Sequence, residues 1–180
     1  MKRKIYYYGH PCLRKKSHAV EKITPEIKQI CQDMLDTVHF HKSSIGLAAI
    51  QLDINYRIFI VRYFTRDEKG EVILQEPTLF VNPKLSHPSK GTNIDREGCM
   101  SFPEVYESVE RPNSVTIEAM DMEGKSFKQE LTGYSARQVM HENDHLNGVL
   151  FIDRVSKKRK KELEPLLRKL KILYKTHNAS

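Results

Sequence analysis

The sequence predicts an α+β domain on three observations: an amphipathic helical stretch near the start, a succession of alternating strand-like segments after it, and a second helical stretch beyond those. This order differs from the regular strand and helix alternation of a parallel α/β sheet. The chain of 180 residues fits one domain with a core of its own.

Taken in order, Gly9 to Arg14 carries no periodicity, and Pro11 makes it an extended or turning segment. Thr24 caps and Pro25 opens a helix of about four turns, along which Ile27, Ile30, Cys31, Met34, Leu35 and Val38 form an apolar stripe. Cys31 lies in that stripe and reads as a buried, inert thiol; His39 and His41 read as solvent-facing residues at the helix end. Ser44 to Gln51 is a run of small and apolar residues ending in one amide, and a strand is expected over Arg57 to Tyr63. Short strands follow around Glu71 to Gln75 and Thr78 to Val81, then an exposed loop over His87 to Asp95. Arg96 to Pro103 is a short bent element that can aim the Cys99 thiol into a site or bury it in a strand. Val105 to Val109, Val115 to Met120 and Phe127 to Leu131 alternate as strands, the last two joined through Glu123-Gly124.

Tyr134 to Gly148 is the second helix, with Ser135 and Gln138 as a capping box and Gly148 in position for a left-handed stop. It holds His141, Glu142 and His145 as HExxH. Residues four apart share a helix face, so two imidazoles can bind a divalent ion while Glu142 stays beside it as an acid/base. The bland alternative is three polar residues on a solvated face.

Charge divides unevenly along the chain. Residues 1 to 155 hold 21 Lys and Arg against 21 Asp and Glu, while Ser156 onward holds 9 against 2, so the net +7 belongs to the tail. That tail reads as a basic amphipathic helix with leucines at helical spacing, and Pro165 either starts it or kinks it. The division expected is a catalytic body over residues 1–155 with residues 156–180 appended as a helical tail of the same domain. Three widely spaced cysteines, Cys12, Cys31 and Cys99, argue for reduced thiols, and no signal peptide or membrane-length apolar run appears, so a cytoplasmic location is expected.

Three stretches together, SIGLAAIQ over Ser44 to Gln51, EGCMS over Glu97 to Ser101 and HENDHLNG over His141 to Gly148, resemble the peptide deformylase family. The resemblance covers about residues 1 to 155 and leaves the tail outside. It implies antiparallel or mixed sheets packed around the HExxH helix, with a C-terminal helix following. It implies one divalent ion on Cys99, His141 and His145, natively Fe(II) by family precedent, with Zn(II), Ni(II) or Co(II) compatible with the same donors. It implies removal of the formyl group from nascent formyl-methionyl chains, with Glu142 as general base and acid and with Gln51 and the Met100 backbone N–H as oxyanion donors. The methionine side chain is expected against Ile45, Gly46, Gly98 and Val139, with Glu97, Arg111 and Asp144 as supporting partners. The basic tail is expected to touch ribosomal RNA, and no membrane is involved. The sequence departs from the family pattern at Ser44, Ile50, Met100 and Met140. Two rival readings stand beside this one. The first is a small metallopeptidase on the same helix; the second is a structural zinc module in which Cys12 or Cys31 completes four ligands.

Overall fold

A computed structural model describes residues 1–179. The first helix, α1 (Pro25–Phe40), starts where its cap predicts, with the Thr24 hydroxyl accepting from the Ile27 N–H. Beyond it, β1 (Gly46–Ala48), β2 (Ile58–Val61), β5 (Thr78–Ser86), β8 (Ser114–Met120) and β9 (Ser126–Thr132) form one antiparallel sheet in the order β1-β2-β5-β8-β9. Two hairpins complete the strands: β3 (Phe64–Arg66) with β4 (Val72–Leu74), and β6 (Thr92–Cys99) with β7 (Phe102–Pro112). Then come α2 (Gly133–His145), α3 (Lys157–Leu173) and a short α4 (Lys175–Ala179).

The period of two in β2 divides the core. Phe59 and Val61 face one apolar cluster and Ile58 and Ile60 the other, so all four are buried and the strand reads as a continuous hydrophobic run. One face of the sheet carries α1; the other carries α2, whose Ala136, Val139 and Met140 pack with Val105 and Val109 of β7. The HExxH helix thus lies between the sheet and the β6–β7 hairpin.

Three expectations change. The loop expected over His87 to Asp95 closes early, because β6 starts at Thr92 and pairs with Pro112 and Arg111. Strand β5 continues past Asn82-Pro83 through a bulge, with Asn82 at φ 52 and its amide bracketing the main chain of Val20. The capping box on α2 does not form: the helix begins at Gly133, and Gln138 Nε2 donates to the carbonyls of Ile45 and Arg62 instead. Gly148 has the left-handed φ of +69 expected of it, and a Cβ there would stand 2.6 Å from the Arg14 carbonyl oxygen.

The tail is integral to the packing. Leu163, Leu167 and Leu170 of α3 are buried in the same cluster as α2, and Pro165 sits inside one continuous helix. Among the described residues, no helix is long and apolar enough to cross a membrane.

Candidate metal centre

Strand β6 and helix α2 meet in matched steps. Two residues of strand advance about 6.6 Å and four residues of helix about 6 Å. Glu97 and Cys99 therefore face His141 and His145 as two parallel pairs. The His141 Nδ1 lies 2.9 Å from Glu97 Oε2, and Cys99 Sγ lies 3.3 Å from His145 Nε2. One ligand atom from each of Cys99, His141 and His145 falls within a 4.8 Å group.

This donor set fits a divalent ion. A tetrahedral ion with ordinary sulfur and imidazole bond lengths separates its sulfur from its nitrogens by about 3.5 Å, close to the Cys99 to His145 distance. With His141 Nδ1 engaged by Glu97, its Nε2 is left for the cation, the arrangement in which an outer carboxylate fixes a ligating ring. Neither Cys12 nor Cys31 joins the group. Cys31 is on the buried face of α1, and Cys12 clusters with His10 and Asp53 elsewhere, so the cysteine that would be the fourth ligand of a closed structural site is missing.

Glu97 is fixed from several sides. Arg111 donates to it at 2.6 and 2.9 Å and reaches Asp144 at 2.8 Å, while Arg137 donates to Glu97 at 2.7 Å. Arg154 also pairs with Asp144. Burial opposes the charge on Glu97, yet Arg111 and His141 hold its carboxyl far below the usual range. Burial alone would depress His141; hydrogen bonds to Cys99 and Glu97 carry it well above the ordinary imidazole value. Burial, reinforced by the charge of His141, holds His145 well below it.

Glu142 follows His141 on the same helix turn, and both line the cleft. The Glu142 Oε2 is buried with no protein partner, and burial pushes the carboxyl up to about 7 despite the pull of His141. Gly46 makes room for it: a Cβ on Gly46 would stand 2.1 Å from Glu142 Oε1. Gln51 closes the far side. Its Oε1 accepts from the Ala48 N–H at 2.8 Å, which turns Nε2 toward Ser101 Oγ at 3.0 Å and Cys99 Sγ at 3.4 Å.

These groups floor a cleft of about 540 Å³, whose lining includes Ile45, Gly46, Gln51, Gly98, Cys99, Met100, His141 and Glu142. A smaller recess beside it is lined by Ile45, Gly98, Tyr134, Arg137, Gln138 and Glu142. Val139, expected at the methionine pocket, is packed in the core and borders neither cavity. Both Gln138 and Val139 stand within one helical turn of Glu142, but Gln138 lies on the recess side while Val139 turns into the core cluster. Sequence reading missed Arg137 and Gln138, although each stands four residues before His141 or Glu142. Ser44 is not among the positive-φ residues, so the loop tolerates it without strain, and its hydroxyl donates to Met100 Sδ at 2.9 Å.

An α+β fold with a His-Glu-His helix facing a cysteine-bearing strand defines the class as a metal-site hydrolase. A family profile described as polypeptide deformylase matches residues 2–161. A peptide deformylase of Nitrobacter hamburgensis is 41% identical over 145 residues, 81% of this chain and 82% of that protein. The crystal structure of the peptide deformylase from Plasmodium falciparum superposes with a TM-score of 0.83 at 35% identity, covering 96% of this chain and 98% of that one. The Thermotoga maritima peptide deformylase gives 0.75 at 35% identity, over 87% and 99%. The chain belongs to the peptide deformylase family, hydrolases that remove N-formyl groups.

Proposed function

We propose that this chain hydrolyses the formyl group from the N-terminal formyl-methionine of nascent polypeptides, releasing formate and a free amine, with Cys99, His141 and His145 holding one divalent ion. The observation that carries the reading is the convergence of one sulfur and two ring nitrogens within 4.8 Å, beside a buried carboxylate with an unpartnered oxygen.

A formamide is a poor electrophile, and its hydrolysis needs an activated solvent nucleophile, a stabilised oxyanion and a protonated leaving amine. The ion supplies a Lewis acid that activates solvent at neutral pH. Glu142 takes the solvent proton on its free Oε2 and delivers it to the leaving nitrogen. Gln51 Nε2, oriented by the Ala48 N–H, donates to the developing oxyanion together with the Met100 backbone N–H. Ile45, Gly46 and Gly98 shape the approach, and the methionine side chain enters the recess toward Tyr134 and Gln138. Glu97, Arg111 and Asp144 keep His141 in the tautomer that frees Nε2. The soft sulfur and borderline nitrogens accept Fe(II), Zn(II), Ni(II) or Co(II) alike, and family precedent favours Fe(II).

The test is formate release from formyl-Met-Ala-Ser by metal-replete protein. Glu142→Gln is expected to lower it by about 10²- to 10⁴-fold while metal content stays unchanged. Cleavage of an unformylated peptide at a comparable rate would overturn the reading in favour of a peptidase. The exposed lysines of α3 are further proposed to contact ribosomal RNA, because the chain's excess of +7 resides in the tail from Ser156 onward, nearly all of it on this helix. Lys157→Glu with Lys158→Glu and Lys161→Glu should weaken salt-dependent co-sedimentation with ribosomes and spare tripeptide turnover; unchanged co-sedimentation would remove the contact.

A further inference from the structure

The C-terminal helices reach one wall of the cleft through the extended stretch Ile5 to Tyr8. On one edge of that stretch, Tyr6 N–H donates to the Gln51 carbonyl at 2.8 Å and Tyr8 N–H to the Ser101 carbonyl at 2.8 Å. Gln51 and Ser101 are themselves joined through their side chains. The alternate residues, Ile5 and Tyr7, line the cleft, yet neither borders the recess beside Glu142. They bound the part of the cleft available to peptide residues beyond the methionine.

The other edge of the stretch lies outside any strand ladder, and Asn178 of α4 supplies what a neighbouring strand would. Its Oδ1 accepts from the Tyr7 N–H at 3.0 Å and its Nδ2 donates to the Tyr7 carbonyl at 3.1 Å. His177 Nε2 lies 2.9 Å from the Ile5 carbonyl oxygen. The Tyr7 ring packs on Tyr174 at 4.2 Å and on His177 at 4.5 Å, and Lys171 lies over Tyr8. One amide thus engages both backbone groups of a cleft-lining residue, sharing the Tyr7 carbonyl with the His10 N–H at 3.1 Å, and aromatic packing holds the segment in place.

We infer that Asn178 is a positioning residue: by clamping both backbone groups of Tyr7 it fixes the cleft wall that receives the peptide downstream of formyl-methionine. The inference rests on the deformylase reading above. Asn178 touches neither the metal donors nor Glu142, so its loss should act on the binding of long substrates and leave the chemical step alone.

The experiment compares wild type with Asn178→Leu, similar in size and without hydrogen bonds, on formyl-Met-Ala-Ser and on formyl-methioninamide, together with hydrogen exchange at the Tyr7 amide. Loss of two hydrogen bonds to the wall should raise KM for the tripeptide about three- to tenfold, with kcat moving less than about twofold. KM for formyl-methioninamide should hold, and the Tyr7 amide should exchange faster. Asn178→Asp keeps the acceptor for the Tyr7 N–H and should fall between the two. An unchanged tripeptide KM, an equal loss on both substrates, or unchanged exchange at Tyr7 each overturns the inference. Wild type releasing no formate from either substrate overturns the functional reading and the positioning role with it, while the exchange result still judges the clamp.

Discussion

At the scale of single residues, the site depends on small differences in space and on complete pairing. Gly46→Ala puts a methyl where Glu142 Oε1 stands, so the carboxylate must move. We expect it to lower kcat by at least about 10²-fold with the fold retained, read as formate release beside an unchanged circular dichroism spectrum. Arg111 is the reverse case, a large buried cation whose worth lies in its partners. Arg111→Leu leaves Glu97 and Asp144 short of a guanidinium in the interior, and removing one side of a buried pair typically costs about 3–5 kcal/mol. Denaturant unfolding should show that loss, and metal affinity should fall because His141 loses its fixed carboxylate. The thiols separate by environment. Burial pushes Cys12 up to about 12 and Cys31 up to about 11, whereas Cys99 borders the cleft. Chelating the metal should abolish turnover and expose Cys99 alone to a thiol reagent, as counted by mass spectrometry.

At the scale of elements, the pairing of β6 with α2 builds the centre, and the hairpin partner β7 steadies it. The inward face of β7 carries Val105, Glu107, Val109 and Arg111, two apolar residues and two charges. Each charge has a dedicated partner, Glu107 on Arg159 of α3 and Arg111 on Glu97. Helix α3 is joined to the body both by that ion pair and by its leucines. Leu167→Ala should therefore destabilise the whole domain by about 2–4 kcal/mol in a single cooperative transition. A separate early transition of the tail, with the body unaffected, would contradict this packing. Helical periodicity was legible in residues 25–40 and strand alternation in 105–109, 115–120 and 127–131, because each of these segments alternates or repeats its apolar residues, although β7 extends beyond its expected bounds at both ends. Thr92 to Arg96 was not legible as strand, because β6 lies in a hairpin whose outer face exposes Ile94 and Arg96 and offers no alternation of buried apolar residues. Its strand character comes from pairing with β7.

At the scale of the whole molecule, acid sensitivity follows from the junction between body and tail. Burial raises Asp153, but Arg14, the Leu150 N–H and Lys160 outweigh it and hold its carboxyl at about 2. An unfolded aspartate titrates near ~3.9, so the stabilisation is present in full above that pH and is lost as pH falls toward about 2. Asp153→Asn should accordingly lower Tm at pH 7 and flatten the decline of Tm between about pH 5 and pH 2. At the same scale the tail docks as its amphipathic spacing predicts. Its basic residues form an outward surface, but the element that bears them is part of the core.

The thiolate donor entered through the resemblance of three stretches together, whereas the α+β order and the metal-type helix with its two imidazoles and carboxylate were determined by the sequence alone. Those depend on local spacing: four residues per helical step, two per strand step, and a cap at a helix start. Tertiary structure alone decided that Glu97 and Cys99 meet His141 and His145, that Gln138 and not Val139 borders the recess, and that Asn178 reaches Tyr7 across 171 residues. Such meetings depend on how a hairpin lies across a helix and on where a tail folds back, and side-chain packing over the whole core sets that geometry, which no local period encodes.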